Sequence, residues 1–221
     1  MSAQQPAVEL RDVYRRFSRK RVLRGVDFTV ATGSSVVLTG ANGAGKTTLL
    51  RILATLLRPS SGTGTICGLP LSSAGDRIRE RVGYLSSRGT LYDDLTAAEN
   101  LRFTARLTGA PSQDGTIDDL LSAAGLSQAR SQRVRTYSTG MRRRLSLTAL
   151  RLRPLELVLM DEPYSGLDTD GMSMVDHMVG EFLKVGTTVI IASHQVGEAT
   201  RQATRTYRIH DGRLLPVGAG I

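Results

Sequence analysis

Hydrophobic and polar residues alternate with a period of two near the start of this chain, which is the pattern of half-buried β-strands. Residues 7–10 and 26–30 follow it, so we predict antiparallel strands in this region. Residues 34–39, 155–160 and 187–192 are instead short, continuous apolar runs, which are typical of strands buried on both faces of a sheet. The chain therefore combines an N-terminal antiparallel β region with a later region in which strands and helices alternate.

Helical patterns lie between these strands. Helices are predicted at 48–57 and near 174–183. Residues from about 91 to 135 also turn helical, and Thr96 and Glu99 form a capping-box signature near the start of that stretch. This middle stretch is interpreted as a helical insertion. The remaining predicted strands are 63–69 and a terminal hairpin of 206–210 and 213–216 that turns at Asp211-Gly212.

Composition limits the class of protein. Of the 221 residues, 40% are hydrophobic and 22% are charged, which is ordinary for a globular domain. The single cysteine, Cys67, excludes an internal disulfide and suits a reducing compartment. No apolar run approaches the ~20 residues that cross a bilayer, and the first residues lack the layout of a signal peptide. We therefore expect one large domain, or one domain with a small insertion, in the cytosol.

The charge balance is basic, with 29 Lys and Arg against 20 Asp and Glu and a net charge of +9. Arginines cluster at 15–24, 130–135 and 142–144. Such clusters attract nucleic acid, an anionic membrane surface or nucleotides, or simply form a solvated face. No aromatic residues are interleaved with them and the chain has no Trp, so stacking on bases is poorly supported. The solvated face is the favoured interpretation.

The run from Gly40 to Thr48 has the spacing of a phosphate-binding loop, G-x-x-x-x-G-K-[ST]. It lies between a predicted strand and a predicted helix, as the motif requires. Its glycines let backbone N–H groups converge on a β-phosphate. Lys46 adds a compact positive charge at the β/γ oxygens, and the Thr47 hydroxyl is a ligand for Mg²⁺. We predict that a nucleotide is held by Asn42, Gly43, Gly45, Lys46, Thr47 and Thr48.

Two carboxylates, Asp161 and Glu162, follow the buried run 155–160. A strand of a parallel sheet delivers such residues to its carboxyl edge, where ligands bind in α/β folds. We predict that Asp161 completes the Mg²⁺ site begun by Thr47, directly or through water. Glu162 lies one residue closer to solvent and is predicted to polarise the water that attacks the γ-phosphate. A helix cap or a surface acid pair is the alternative.

A second helix N-terminus able to receive an anion is predicted at Ser138, which is a good N-cap residue. Gly140 keeps this turn free of a side chain. A helical insertion separates the helix N-terminus at Ser138 from the phosphate loop. One γ-phosphate does not need two helix N-termini from the same chain. A head-to-tail dimer resolves this, because the Ser138 end of one subunit then closes the nucleotide of its partner.

The order of these motifs resembles that of the ATP-binding subunit of an ABC transporter, over essentially the whole chain. The matching motifs are the phosphate loop, Ser138-x-Gly140, Asp161-Glu162, Ser165-Gly166-Leu167-Asp168 and Ser193-His194. The resemblance implies an α/β, P-loop NTPase fold of the ABC ATPase type with a mixed central sheet, an N-terminal antiparallel β region and a helical insertion. It implies a single domain, 1–221, with its core at 1–86 and 141–221 and a helical subdomain at about 87–140.

The same resemblance implies roles for further residues. Asp168 would lie in the loop that links the two active sites of the dimer, and His194 would contact the γ-phosphate and hold the attacking water. Phe17 matches the aromatic residue that stacks on adenine, although an isolated Phe is more often a core residue. ATP and Mg²⁺ are the implied cofactors, and a membrane-spanning permease and a second ATP-binding subunit are the implied partners. The chain would then be peripheral on the inner face of the cell membrane.

Two departures from the family pattern stand out. Members carry a glutamine between the phosphate loop and the helical insertion that touches Mg²⁺ and senses the γ-phosphate. The matching stretch, 84–90, has no Gln, and Ser87 is the nearest positional match. A serine reaches the metal only through a water, so we expect altered coupling to the membrane partner. The signature is also Tyr-Ser-Thr-Gly-Met at 137–141, which keeps Ser138 and Gly140.

The stretch 91–109 and the short chain are similar to the haem-exporter ATPase of cytochrome c maturation and nearly as close to other efflux ATPases. The residues themselves do not choose a cargo. One alternative is an ABC-type ATPase that acts on ribosomes or nucleic acid; a single phosphate loop and no heptad stretch argue against it, so no nucleic acid is expected. A second is a domain that binds nucleotide without hydrolysis, and the intact motif residues argue against that.

Overall fold

The computed structural model describes residues 5–87, 91–193 and 203–217, which form two compact units. The first unit contains the described residues of 5–84, 155–162, 178–193 and 203–217. The second contains those of 85–87, 91–154 and 163–177. The strands are β1 (Val8–Phe17), β2 (Lys20–Val30), β3 (Ser35–Thr39), β4 (Ser61–Ile66), β5 (Leu69–Pro70), β6 (Val82–Leu85), β7 (Leu157–Asp161), β8 (Thr188–Ala192), β9 (Arg205–His210) and β10 (Arg213–Val217).

A four-stranded antiparallel sheet has the order β2-β1-β4-β5. The period of two that predicts it is visible in the burial of Val8 and Leu10, which point into the core, beside the more exposed Glu9 and Arg11. The predicted antiparallel strands are therefore confirmed. Both are longer than predicted, because β1 and β2 continue through polar residues to a tight turn at 18–19.

A six-stranded sheet has the order β10-β9-β3-β8-β7-β6. Strands β9, β3, β8 and β7 pair in parallel, whereas β10 is antiparallel to β9, so the sheet is mixed as predicted. Every residue of β7 and β8 is buried, which explains their continuous apolar sequences. Register places Leu38, Ala192 and Asp161 in one row. The carboxyl ends of three parallel strands thus meet at one edge of the sheet.

The described helices differ from the predicted ones mainly at their ends. They are α1 (Lys46–Leu53), α2 (Gly75–Arg81), α3 (Ala97–Thr108), α4 (Asp114–Ala123), α5 (Thr139–Ala149) and α6 (Thr169–Lys184). Helix α1 spans Lys46–Leu53 instead of 48–57, because the chain turns into the left-handed region at Thr55 (φ 57°). Helix α2 and strand β6 are not predicted from the sequence. They have seven and four residues, which is too few for a hydrophobic period to be recognised.

Helices α3, α4 and α5 pack around a core of their own in the second unit, which includes Leu101, Ile117, Leu121 and Leu145. The capping box at the start of α3 is confirmed: Thr96 accepts from the Glu99 amide, and the Glu99 carboxylate accepts from the Thr96 amide. This unit extends past the predicted helical subdomain, 87–140, because Leu145 on α5 belongs to its core.

Candidate functional site

The phosphate loop connects β3 to α1 through glycines with left-handed backbone angles. Gly40, Gly43 and Gly45 have φ values of 142°, 77° and 118°, which other residues rarely adopt. A Cβ on Gly40 would lie 2.5 Å from the carbonyl oxygen of Ile209, so the loop also needs glycine for space. Gly45 is the N-cap of α1 and offers no side-chain cap to the first-turn amides. The loop therefore suits an anion at the start of this helix.

Lys46 is the buried cation of the site, with a side chain that is 7% exposed. Its ammonium group donates to the carbonyl oxygens of Gly40 at 2.6 Å and Ala41 at 3.4 Å. It also lies 3.8 Å from a carboxylate oxygen of Glu162. An ammonium group has three donors that rotate freely, so it can exchange these partners for phosphate oxygens.

Thr47 and Asp161 meet as the sequence predicts. The Thr47 hydroxyl donates to the two carboxylate oxygens of Asp161 at 2.9 and 3.1 Å, and Asp161 is 1% exposed at the end of β7. Within the described part of the chain, no group of three or more His, Cys, Asp or Glu residues could hold a metal ion. A hydroxyl with one carboxylate suits Mg²⁺, which keeps several waters and takes few protein ligands.

Glu162 has an unusual backbone. Its φ of 50° is left-handed, a conformation that costs a non-glycine residue about 1–2 kcal/mol. Its amide donates to the carbonyl oxygen of Ala192 at 2.8 Å, which holds it in the row that ends β7 and β8. Strained residues of this kind cluster at active sites. The sequence motif identifies the carboxylate but carries no signal of this strain.

The remaining predicted residues of the first unit are placed as follows. Asn42 and Gly43 are exposed in the phosphate loop, and Thr48 is half-buried in the first turn of α1. Phe17 ends β1 and is 43% exposed, with the Arg15 guanidinium 4.4 Å from its ring centroid. It is therefore available for stacking and is not a core residue. His194 lies outside the described residues, so its role stays a prediction.

Beside the phosphate loop lies a basic pocket of about 380 Å³. Arg19, Lys20, Arg21 and Arg24 line it together with Gly43 of the loop. Arg24 also pairs with Asp211 at 3.1 Å. Sequence alone favours a solvated face for the basic cluster at 15–24. Part of it instead lines a concave surface where positive charge attracts a polyphosphate.

The second unit carries the other predicted residues. Ser138 is the N-cap of α5, as predicted, and its hydroxyl accepts from the amide of Met141 at 3.2 Å. Asp168 accepts from the amide of Gly171 at 2.8 Å and from Arg144 at 3.1 Å. The Gly171 amide, followed by the Arg144 guanidinium, holds the pKa of the Asp168 carboxyl below its ordinary value. Asp168 is therefore anionic and fixed close to the start of α6.

The arginine run 142–144 is not the solvated face that its composition suggested. Consecutive residues of a helix point about 100° apart, so the three side chains leave α5 in different directions. Arg142 pairs with Asp93, and Arg144 pairs with Asp168. Arg143 is buried, at 7% exposure. A run of like charges gives no sequence signal that its middle member is buried.

Comparison with known proteins assigns the family. The sequence profile described as ABC transporter matches residues 23–165. The Nod factor export ATP-binding protein I of Burkholderia lata is 35% identical over 214 residues, which cover 96% of this chain and 70% of that protein. The chain belongs to the ABC transporter family. The daunorubicin/doxorubicin resistance ATP-binding protein DrrA of Streptomyces peucetius is 34% identical over 215 residues, covering 96% of this chain and 65% of that protein.

A solved structure described as the ATP-binding subunit of an ABC transporter has a TM-score of 0.85 and 27% identity to this family member, covering 94% of this chain and 88% of that one. The predicted P-loop fold and the predicted enzyme class, an ABC-type ATPase, are confirmed. The chain spans about two thirds of the length of the curated relatives named above. Their names refer to Nod factor and to daunorubicin, and they give no support to haem export.

Proposed function

We propose that the chain is the ATP-binding and ATP-hydrolysing subunit of an ABC exporter and drives a separate membrane-spanning permease. The observation that carries this proposal is the convergence of Lys46, Thr47, Asp161 and Glu162 at the carboxyl edge of one sheet. No helix among the described residues has the length and apolar character to cross a bilayer. We infer that transport depends on a permease and that the chain works at its cytoplasmic surface, because the family to which the chain belongs is that of ABC transporters.

The side chains divide the chemistry among them. Lys46 would hold the β- and γ-phosphates of ATP, and Phe17 would stack on the adenine. Thr47 and Asp161 would hold Mg²⁺, which neutralises charge on the phosphate oxygens when it is bound. Glu162 would accept a hydrogen bond from the attacking water and orient it, and His194 would contact the γ-phosphate. Each of these groups stabilises charge or positions a reactant, which is most of what phosphoryl transfer requires.

Substitution of Glu162 tests the catalytic assignment. Glu162→Gln keeps the shape of the side chain but removes its negative charge. We expect ATP turnover to fall by at least a hundredfold while ATP binding persists, because proton acceptance contributes about 10²–10⁴-fold. Glu156→Gln is the matched control, since Glu156 pairs with Arg81 at the other end of β7. Full turnover in Glu162→Gln would contradict the role of Glu162.

Gly140 offers a test of the head-to-tail dimer. A Cβ at this position would come no closer than 3.8 Å to any described atom outside its neighbours, and its φ is not positive. Gly140→Ala should therefore be tolerated by the folded subunit and favour α5 by up to about 1 kcal/mol. A phosphate of the partner subunit's nucleotide at this turn would instead meet the new methyl group.

We expect Gly140→Ala to melt at least as high as the unaltered protein yet to lose ATP-induced dimerisation and most turnover. Gly115→Ala in α4 is the control, because a Cβ there meets nothing within 4 Å. Light scattering with and without ATP measures the dimer in the Glu162→Gln background. Unchanged ATP-induced dimerisation in Gly140→Ala would remove Gly140 from the proposed interface.

Cargo and direction rest on the relatives alone. Export of a cargo similar to Nod factor or daunorubicin is favoured over haem, because the relatives are named for Nod factor export and daunorubicin resistance. Isolation of the native complex in detergent, followed by identification of the co-purifying polytopic protein, tests the permease. Recovery of ribosomes or nucleic acid in its place, with salt-sensitive stimulation of ATPase activity, would favour the soluble alternative.

A further inference from the structure

Arg143 is a buried guanidinium in the middle of α5, with 7% of its surface exposed. Its Nε donates to the carbonyl oxygen of Pro163 at 3.1 Å, and its Nη1 donates to the carbonyl oxygen of Ser86 at 2.9 Å. A charged group loses hydration when it is buried, so a folded protein keeps one only where hydrogen bonds replace the lost water. Arg143 therefore makes specific bonds to two chain segments that are far apart in sequence.

Each carbonyl belongs to a segment next to a residue of functional interest. Pro163 directly follows Glu162, the proposed catalytic carboxylate. Ser86 directly precedes Ser87, which stands where family members carry the glutamine that senses the γ-phosphate. One planar side chain thus joins the chain that leaves β7 to the chain that leaves β6.

The hydrogen bond from Arg143 to Pro163 matters because the adjacent residue, Glu162, has a strained backbone. The amide of Glu162 is held by Ala192, and its φ is 50°. On the other side, the peptide group that follows Pro163 offers its carbonyl to Arg143. Removal of the hydrogen bond from Arg143 to the Pro163 carbonyl oxygen would release the chain on the C-terminal side of Glu162. Glu162 would then relax toward an ordinary backbone conformation, and its carboxylate would reorient.

We propose that Arg143 is a positioning residue, which fixes the carboxylate of Glu162 through Pro163 and couples it to the Ser86–Ser87 segment. The proposal rests on the assignment of Glu162 as the group that orients the attacking water. Only arginine suits this position, because its fork presents two donors at a fixed angle. Lysine keeps the charge but has a single nitrogen, and glutamine is too short to reach both carbonyl oxygens.

The test compares steady-state ATP hydrolysis by Arg143→Lys and Arg143→Gln with that of the unaltered protein. We expect kcat to fall at least tenfold in both, with KM for ATP within about twofold, because the contact acts on Glu162 and not on the phosphate loop. Arg142→Lys and Arg142→Gln are the matched controls. Arg142 is the neighbouring residue on α5, its ion pair with Asp93 is partly exposed, and we expect its variants to keep kcat.

A second measurement separates positioning from general stability. In the Glu162→Gln background, each Arg143 variant is assayed for ATP-induced dimerisation and for its melting temperature. Preserved dimerisation together with the loss of kcat supports the proposal. Loss of the fold or of the dimer in both variants makes Arg143 purely structural and overturns it, as does full kcat in Arg143→Lys or Arg143→Gln. Full turnover in Glu162→Gln alone would overturn the catalytic assignment instead, so the two failures are distinguishable.

Discussion

The left-handed backbone of Glu162 predicts that glycine at this position stabilises the fold while activity is lost. The comparison that isolates the backbone is Glu162→Gly against Glu162→Ala, because both variants lose the carboxylate and its 3.8 Å approach to Lys46. Alanine retains a Cβ in a conformation that costs about 1–2 kcal/mol, and glycine does not. Glycine also gains freedom in the unfolded chain, which offsets about 0.5–1 kcal/mol of that difference.

The net expectation is that Glu162→Gly is more stable than Glu162→Ala by up to about 1.5 kcal/mol, with a midpoint of about 0.75 kcal/mol. For a protein of this size, 1 kcal/mol shifts Tm by about 2–4 °C, so the midpoint corresponds to about 1.5–3 °C. Thermal unfolding followed by circular dichroism without nucleotide measures it, and an ATPase assay verifies that neither variant turns over.

Glu156 supplies the control, since it precedes the same strand and has no positive φ. There the order reverses, and Glu156→Gly is expected to melt below Glu156→Ala. A Glu162→Gly variant that melts at or below Glu162→Ala would refute the strained backbone, and with it the argument that Arg143 holds a strained residue in place.

Three further expectations concern single contacts. Thr96→Ala removes the cap of α3 and is expected to lower stability by about 1 kcal/mol, whereas Thr96→Ser should retain most of it; urea unfolding checks both. Burial raises the pKa of the Cys67 thiol to about 12, so reaction of the folded protein with a maleimide at pH 8 should be about 10³-fold slower than that of the unfolded chain, and equal rates would contradict the burial. The low pKa of Asp168 means that its contribution to stability is present above the ordinary carboxyl pKa and is lost as pH falls through the folded value. Arg144→Gln is expected to raise the pKa of Asp168, and a carboxyl titration followed by NMR that shows no rise would contradict the contribution of Arg144.

Local patterns were sufficient wherever the answer depends on neighbouring residues. The capping box at Thr96 and the N-cap at Ser138 are decided within one helical turn. The junction of the phosphate loop with α1 is decided by glycines and by the lysine that follows them. The meeting of Thr47 with Asp161 also followed from sequence, although the two are far apart in the chain, because parallel strands bring their carboxyl ends to one edge.

Three features of the fold and the site are not predicted by the hydrophobic pattern. The left-handed conformation of Glu162 needs the Ala192 carbonyl oxygen, which belongs to another strand. The early end of α1 depends on the left-handed turn at Thr55, for which the apolar pattern that continues to residue 57 gives no sign. Helix α2 is too short to show a period. The contact of Glu162 lies outside the window over which a hydrophobic pattern is read, whereas the turn at Thr55 and the short helix α2 are local features that such a pattern does not report.

Arg143 shows why charge in particular is hard to interpret from sequence. The neighbouring residues Arg142 and Arg144 form partly exposed ion pairs, as arginines on a solvated helix do. Arg143 donates hydrogen bonds to two main-chain carbonyl oxygens, which are present whatever the residue type. Every residue offers a main-chain carbonyl oxygen, so neither composition nor charge pairing along the sequence reveals these two contacts of Arg143. The same fact makes its role testable: the contact depends on the shape of the guanidinium more than on its charge, and Lys and Gln therefore separate the two.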